Sequence, residues 1–234
     1  MSRVDREPCY ILHRRAYRES SLTIELYSLN YGRLGAVARA ARSNKSSFRG
    51  ITEPFVPLQA SWVRRGEMAT LTALDRTDRN TSRYTRNAVW CGLYINELLM
   101  RLLARDDPEP VLYHCYADSL QRLYGSEHQA SILRRFELEL LRAIGVAPDL
   151  VICSDNGKPV SPESYYRFDP AAGPVEAPAS TSDAVSGATL LNLDQQIPLS
   201  NEQAREAKRL LRSLIDQQLD GRPLQTPMVF RRLV

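Results

Sequence analysis

A cluster of cations between residues 39 and 45 is the part of this sequence best suited to binding chemistry. The run from Gly32 to Ser47 begins as a turn and continues as an apolar strand, and its cations are Arg33 and then Arg39, Arg42 and Lys45. Small and hydroxyl residues separate the last three, so a ligand can approach the backbone, and the run contains no carboxylate. A solvated face usually mixes charges of both signs, so this pattern favours contact with phosphate.

Further cations and aromatic residues lie around this cluster in the first 80 residues. Arginine binds phosphate through two donors and aromatic rings stack on bases, which is how barrels of the OB type hold single strands. In the alternative interpretation, Trp62 and Phe55 serve the core, and Arg64 and Arg65 simply keep a turn soluble. The aromatic candidates are Tyr17, Tyr31, Phe48 and Trp62. The candidate nucleic-acid-binding residues are Arg14, Arg15, Arg33, Arg39, Arg42, Lys45, Arg49, Arg64 and Arg65.

The charge of the chain is concentrated at one end. Residues 1–80 carry 14 Lys/Arg and 8 Asp/Glu, whereas the whole chain carries 31 and 27. A basic first third attached to a slightly acidic remainder indicates a polyanion-binding module at the N-terminus.

Residue patterns for catalysis are missing from the sequence. The three histidines, His13, His114 and His128, form no metal-binding motif, and the four cysteines form no close pair of the kind that holds zinc. No phosphate-binding P-loop or nucleophile elbow is present. We therefore expect a binding protein without cofactor or metal. Two alternatives remain: an adaptor whose basic barrel binds an acidic protein, and a metal-dependent nuclease built from scattered carboxylates.

The first 80 residues read as β-structure. Short apolar or alternating segments separated by turn residues predict five strands, which suit a small closed barrel. The segment between the third and fourth strands, residues 42–52, is where a capping helix or a loop would lie. The predicted strands are Cys9–Tyr17, Ser21–Leu29, Leu34–Ala40, Pro54–Val63 and Met68–Leu74.

After residue 80 the apolar residues recur at helical spacing. We predict helices around Ile95–Leu103, over Val111–Tyr124, around Ile132–Ile144 and from Ser200 to Gly221, where Ser200 and Gln203 match a capping box. Within residues 150–187, two short β-pieces, 164–168 and 173–176, interrupt the helical pattern. The N-terminus lacks the pattern of a signal peptide, and no window is apolar enough to span a membrane, so we expect a cytoplasmic protein.

Several strings of residues, distributed over nearly the whole chain, resemble the RecO family of bacterial DNA repair and recombination proteins. Their order and spacing both fit. The strings are Arg18-Glu19-Ser20-Ser21-Leu22, Gly32-Arg33, Ala38-Arg39-Ala40-Ala41-Arg42-Ser43, Pro54-Phe55, Pro57-Leu58, Gly92-Leu93-Tyr94-Ile95-Asn96-Glu97-Leu98-Leu99, Leu133-Arg134-Arg135-Phe136-Glu137-Leu138, Gly221-Arg222-Pro223-Leu224 and Phe230-Arg231.

The resemblance implies an α+β protein with an N-terminal OB-fold β-barrel, residues 1–80. A mainly α-helical domain with a small β-hairpin insertion would follow, residues 81–234. Some family members hold zinc through four cysteines in the region that matches residues 150–180. This chain has only Cys153 there and is similar to the members without zinc.

The resemblance also implies a mediator of homologous recombination in the RecF pathway. Such a protein binds single- and double-stranded DNA, anneals complementary strands and helps to load RecA on DNA coated by single-stranded DNA-binding protein (SSB). Its expected partners are DNA, RecR, the acidic C-terminal tail of SSB and, indirectly, RecA and RecF, with a nucleoid-associated location and no membrane. The expected residues for the SSB tail are Leu98, Leu102, Arg134, Arg135 and Phe136.

Overall fold

The computed structural model describes residues 2–78, 84–124, 128–169 and 172–227. The chain divides into two compact units, of which the first comprises residues 1–125 and 224–234 and the second residues 126–223. The first unit extends past residue 80 because two helices pack in it together with the strands. A domain boundary near residue 80 stays a prediction.

Five strands of the first unit form a closed barrel in the order β1-β2-β3-β5-β4, with β4 returning to β1. All neighbouring pairs are antiparallel except β3 and β5. This is the small five-stranded barrel that the sequence predicts, and the α+β fold class is confirmed. The strands are β1 (Ser2–Tyr17), β2 (Ser21–Ser28), β3 (Gly32–Ala38), β4 (Leu58–Arg64) and β5 (Ala69–Arg76).

The barrel core follows from the alternation of side chains along the strands. In β2, Leu22, Ile24 and Leu26 are buried, and the residues between them are less so. Because a strand of period two buries one face, these side chains meet Leu34 and Trp62 in a single apolar cluster. β1 begins seven residues earlier than the sequence predicts, since its first half pairs with β4 and its second half with β2.

Two helices of the first unit follow the barrel, α1 (Arg86–Leu102) and α2 (Pro110–Leu123). The Thr85 side chain accepts a hydrogen bond from the backbone N–H of Ala88 and caps α1, and α2 begins at a proline. Gly92 of α1 packs so closely against the ring of Phe55 that a Cβ would be 2.9 Å from it. Two strings of the family resemblance therefore meet in space.

The described residues of the second unit form three helices and a three-stranded sheet of order β7-β6-β8. Ser200 and Gln203 form the predicted capping box at the start of α5, and Gly145, with φ +75°, follows the end of α3 as predicted. The short α4 is an addition to the helices that the sequence predicts. Gly125 and Phe230-Arg231 lie outside the described residues. The elements are α3 (Gln129–Ala143), β6 (Tyr165–Asp169), β7 (Gly173–Glu176), β8 (Val185–Ser186), α4 (Gly187–Asp194) and α5 (Asn201–Gln218).

Candidate nucleic-acid interface

The segment between β3 and β4 lies over one end of the barrel. It is a succession of turns in which the N–H groups of Ser43, Ser46 and Arg49 each donate to the carbonyl three residues earlier, so the capping helix considered from the sequence is not formed. Ala41 and Phe48 are buried in the barrel core, whereas the cations between and beside them are exposed. The segment is thus amphipathic, with its apolar side chains inward and its charges outward.

The β1–β2 hairpin lies beside this segment. The backbone N–H of Arg42 donates to the carbonyl of Ser20 at 2.7 Å, which joins the segment to the hairpin turn. Leu22 pairs with Ala38, so Arg39 leaves β3 next to Ser21. Six exposed cations on the hairpin and the segment form what we term the barrel-end patch. They are Arg15, Arg18, Arg39, Arg42, Lys45 and Arg49.

None of the patch cations forms an ion pair with a carboxylate among the described residues. Within residues 2–78, 84–124, 128–169 and 172–227, the Arg42 and Arg49 side chains donate only to backbone carbonyls, at 3.5 and 3.4 Å, and Arg18 lies over the ring of Tyr17. For Arg15, Arg39 and Lys45, the described part of the chain offers the side chain no ion pair or hydrogen bond. Their N–H groups therefore point to solvent and can bind anions.

Arg14 lies next to this patch but is paired. Its guanidinium donates to the Thr52 hydroxyl at 2.9 Å and to the Glu53 carboxylate. Because Arg14 opposes Ile24 in the ladder, it faces the inner side of the barrel end, where it fastens the end of the segment. It contributes to closure of the barrel, and its charge is largely offset by Glu53.

Arg33 and Arg64 are not in the patch, and both are engaged in structural contacts. Arg33 donates to Glu25 at 2.6 Å and to the carbonyl of Leu103, and its side chain is only 14% exposed. Arg64 forms a two-point ion pair with Asp106, which holds the pKa of that carboxyl below its ordinary value. We assign both arginines a structural role. Arg65 is exposed in the β4–β5 turn, next to Arg64.

Like the cations, the aromatic candidates divide into structural residues and exposed ones. Trp62 and Phe48 are core residues, at 2% and 7% exposure, and for Trp62 this is the alternative that the sequence left open. Tyr31 is exposed in the β2–β3 turn, where its ring meets Trp62 edge to face. Tyr17 is exposed within the barrel-end patch.

The residues expected to bind an SSB tail are mostly buried. Leu98 and Phe136 have no exposed surface, and Arg134 forms an ion pair with Glu137 at 2.6 Å in which both side chains are buried. The helix spacing i, i+3 produces this pair within α3. Leu102 and Arg135 are half-buried. The Arg134 guanidinium is therefore committed to Glu137.

Two residues of the first unit that carry the family resemblance have roles that sequence reasoning missed. The first is Asn96, whose side-chain amide donates at 2.9 Å to the carbonyl of Leu12, the residue at the bulge in the β1–β2 ladder. The Asn96 side chain in turn accepts a hydrogen bond from the Tyr116 hydroxyl. The carboxylate of Glu97 accepts the backbone N–H groups of Gln225 and Thr226. A buried asparagine in an apolar helix stripe was the signal available in the sequence.

The tyrosines packed near Asn96 form an aromatic cluster. Tyr10 and Tyr27 each contact Tyr113 and Tyr116, with ring centroids 5.0–5.7 Å apart. Burial raises the pKa of Tyr10 to about 12, and it raises the pKa of Tyr27, Tyr113 and Tyr116 as well. Burial also raises the pKa of the Cys9 thiol, so the neutral thiol persists at ordinary pH.

A second group of cations lies on the exposed face of α5. The same helix also carries Glu202, Glu206 and Asp216, and Arg212 pairs with Asp216 at 3.6 Å. The α5 face is thus of mixed sign, which is typical of a solvated helix surface. Its cations are Arg205, Lys208, Arg209 and Arg212.

The described residues also bear on metal binding and membrane insertion. Among them, no three His, Cys, Asp or Glu side chains converge in a way that could hold a metal ion. In the same part of the chain, no helix has the length and hydropathy needed to cross a membrane.

Comparison with known proteins identifies similar chains over nearly the full length. Residues 1–78 match the family described as recombination protein O N terminal, and residues 83–227 match recombination protein O C terminal. The DNA repair protein RecO of Methylococcus capsulatus is 42% identical over 230 residues, which cover 98% of this chain and 94% of the relative. DNA repair protein RecO of Vibrio cholerae is 34% identical over 224 residues, covering 96% and 92%.

Proposed function

This chain belongs to the recombination protein O (RecO) family of DNA repair proteins, and from that premise we propose that it is a recombination mediator that works by binding DNA rather than by catalysis. The observation that carries the proposal is the barrel-end patch, six exposed cations on one end of the OB barrel with no carboxylate partner among the described residues. Such a surface attracts the phosphates of both single- and double-stranded DNA.

The patch also suits strand annealing and the loading of RecA on SSB-coated DNA. Two complementary strands repel each other through their phosphates, and a cationic surface that binds both lowers this repulsion. Binding energy is sufficient for this task, so the proposal requires no catalytic group, cofactor or metal. We place the protein in the RecF pathway, in the cytoplasm at the nucleoid, with RecR as a direct partner and RecA and RecF as indirect ones.

For the SSB tail, we propose docking on the helical part of the chain. The tail carries acidic and apolar residues, so its binding site needs a cation beside an apolar surface. Two of the five residues expected from the sequence keep partial exposure, Leu102 in the first unit and Arg135 in the second, and we propose each separately as a contact of the tail. Arg134 is left out because Glu137 already binds it.

The test is an anisotropy titration of a labelled oligonucleotide at several salt concentrations. Reversing three patch charges, Arg39→Glu, Arg42→Glu and Lys45→Glu, should weaken binding at least about tenfold and make the log–log salt slope shallower by about 2. The matched control reverses three cations of α5, Arg205→Glu, Lys208→Glu and Arg212→Glu. It changes the net charge equally and should keep most of the affinity.

Equal losses in the patch and α5 variants would show that only total charge matters and would overturn the assignment of the patch. If the protein itself does not bind the oligonucleotide, the alternative of an adaptor for an acidic protein is favoured. Cleavage of the strand on addition of Mg²⁺ or Mn²⁺ would instead favour a nuclease. A labelled SSB-tail peptide, titrated in parallel, should bind the patch variant as well as it binds the unmodified protein.

A further inference from the structure

Tyr17 is an exposed aromatic side chain at the basic end of the barrel. It is the last residue of β1, it pairs with Ser21 across the hairpin turn, and it is 39% exposed. Alternation along β1 puts its ring on the same face as the Arg15 side chain, two residues earlier. This face is opposite to that of Leu22, which belongs to the core.

Cations flank this ring. The Arg18 guanidinium lies 5.1 Å from the centroid of the Tyr17 ring, within the range of a cation–π contact. Arg39 leaves β3 next to Ser21, the residue that pairs with Tyr17. The hairpin is fastened to the neighbouring segment by the hydrogen bond from Arg42 to Ser20. An exposed ring is thus held on a fixed turn, with one guanidinium over it and a second arginine at the end of the neighbouring strand.

We propose that Tyr17 stacks on an unpaired nucleotide base and so makes the barrel-end patch prefer single strands to duplex. The inference rests on the proposed DNA-binding function of the patch and adds the feature of DNA that the patch recognises, an unpaired base. Phosphate contacts are available from either form of DNA, but duplex bases are already stacked on their neighbours. A ring between cations therefore gains a stacking partner only when a base is unpaired.

Tyr31 provides a matched comparison within the same barrel. Its exposure, 44%, is close to that of Tyr17, and it too lies at a hairpin turn. Its ring meets Trp62 edge to face, and it lies in the β2–β3 turn, outside the barrel-end patch. Tyr31 thus tests whether any exposed tyrosine of the barrel contributes, or only the one within the patch.

The experiment measures anisotropy with three labelled probes of equal length: a mixed-sequence single strand, an abasic strand with the same phosphates, and a blunt duplex. Tyr17→Ala should weaken binding of the single strand about tenfold, as expected for the loss of one stacked base, and leave the other two probes within about twofold. Tyr17→Phe keeps the ring and should bind like the unmodified protein. Tyr31→Ala should bind all three probes normally once circular dichroism shows that it is folded.

The outcomes separate this inference from the proposed function. If Tyr17→Ala lowers binding of all three probes equally, or of none, Tyr17 does not stack on bases, while the patch itself can still bind phosphate. If the unmodified protein binds the abasic strand as tightly as the normal one, the inference is overturned without any variant. Absence of salt-dependent binding to every probe would instead overturn the proposed function.

Discussion

The guanidinium of Arg33 lies 2.6 Å from the carboxylate of Glu25 on the neighbouring strand, and both side chains are largely buried. Arg33 also donates twice to the carbonyl of Leu103, which follows α1. One arginine therefore ties two strands of the barrel to the chain after the first helix. Arg39, six residues later, has no such partner in the described part of the chain and is exposed. Arg33 thus serves stability, whereas Arg39 is available for the DNA binding that we propose.

Replacing Arg33 by methionine should lower stability rather than DNA affinity. The change removes charge-assisted hydrogen bonds to Glu25 and Leu103, at an expected cost of about 2 kcal/mol in the free energy of unfolding. Urea denaturation measures that cost, and anisotropy at a temperature where the variant is folded should give an affinity within about twofold of the unmodified protein. A loss of affinity as large as that of Arg39→Glu would assign Arg33 to the binding surface.

The buried pair of Arg134 and Glu137 should show strong coupling. Removing either partner leaves a buried charge, so Arg134→Met or Glu137→Leu alone should cost about 3 kcal/mol or more in the free energy of unfolding. The double variant replaces both charges with apolar groups and should be more stable than either single one. Additive losses in a double-mutant cycle by urea denaturation would contradict a direct interaction.

Asn96 should stabilise the folded protein through its hydrogen bond to the bulge in β1. Asn96→Leu removes the donor to the Leu12 carbonyl at the bulge and the acceptor for the Tyr116 hydroxyl, and we expect a loss of about 2 kcal/mol in the free energy of unfolding. Tyr116→Phe removes the second hydrogen bond, keeps the first and should cost about half as much, roughly 1 kcal/mol. Thermal denaturation compares the two, and a milder effect of Asn96→Leu would rule out this role.

Gly32 and Gly50 allow backbone conformation to be separated from packing. Both have positive φ, +63° and +77°. A Cβ on Gly32 would overlap the backbone carbonyl of Asp107, whereas one on Gly50 would meet nothing within 4 Å. Gly50→Ala should therefore cost about 1 kcal/mol in the free energy of unfolding, and Gly32→Ala distinctly more, above about 2 kcal/mol. Similar melting temperatures for the two variants would contradict the close approach at Gly32.

The buried tyrosines should make the first unit sensitive to alkali. Burial raises the pKa of Tyr10 from 10.0 to about 12, so the folded state favours its protonated form. This contribution to stability is fully present below the unfolded value of 10.0 and is lost as the pH rises through about 12.

The urea midpoint should therefore be lower at about pH 11 than at about pH 9, and Tyr10→Phe should reduce that difference. Tyrosinate absorbance identifies the titrating groups. If all eleven tyrosines ionise while circular dichroism still shows a folded protein, burial does not protect them.

The sequence by itself determined the barrel, most of the helices and the basic character of the N-terminal third. Alternating apolar residues, turn glycines and the Ser200 capping box depend on neighbours within a few positions, which the sequence displays directly. It also located the cluster of Arg39, Arg42 and Lys45, because a run of cations without carboxylates is a local property.

Only the tertiary structure decided which arginines remain available. Arg64 and its partner Asp106 are 42 positions apart, and the Glu25 that binds Arg33 also binds Arg105, 80 positions from it. Such pairs form when folding brings distant segments together, so the residues around an arginine in the sequence do not show which carboxylate will bind it. For the same reason, the burial of Arg134 and the exposure of Tyr17 followed from the packing of whole elements rather than from residue type.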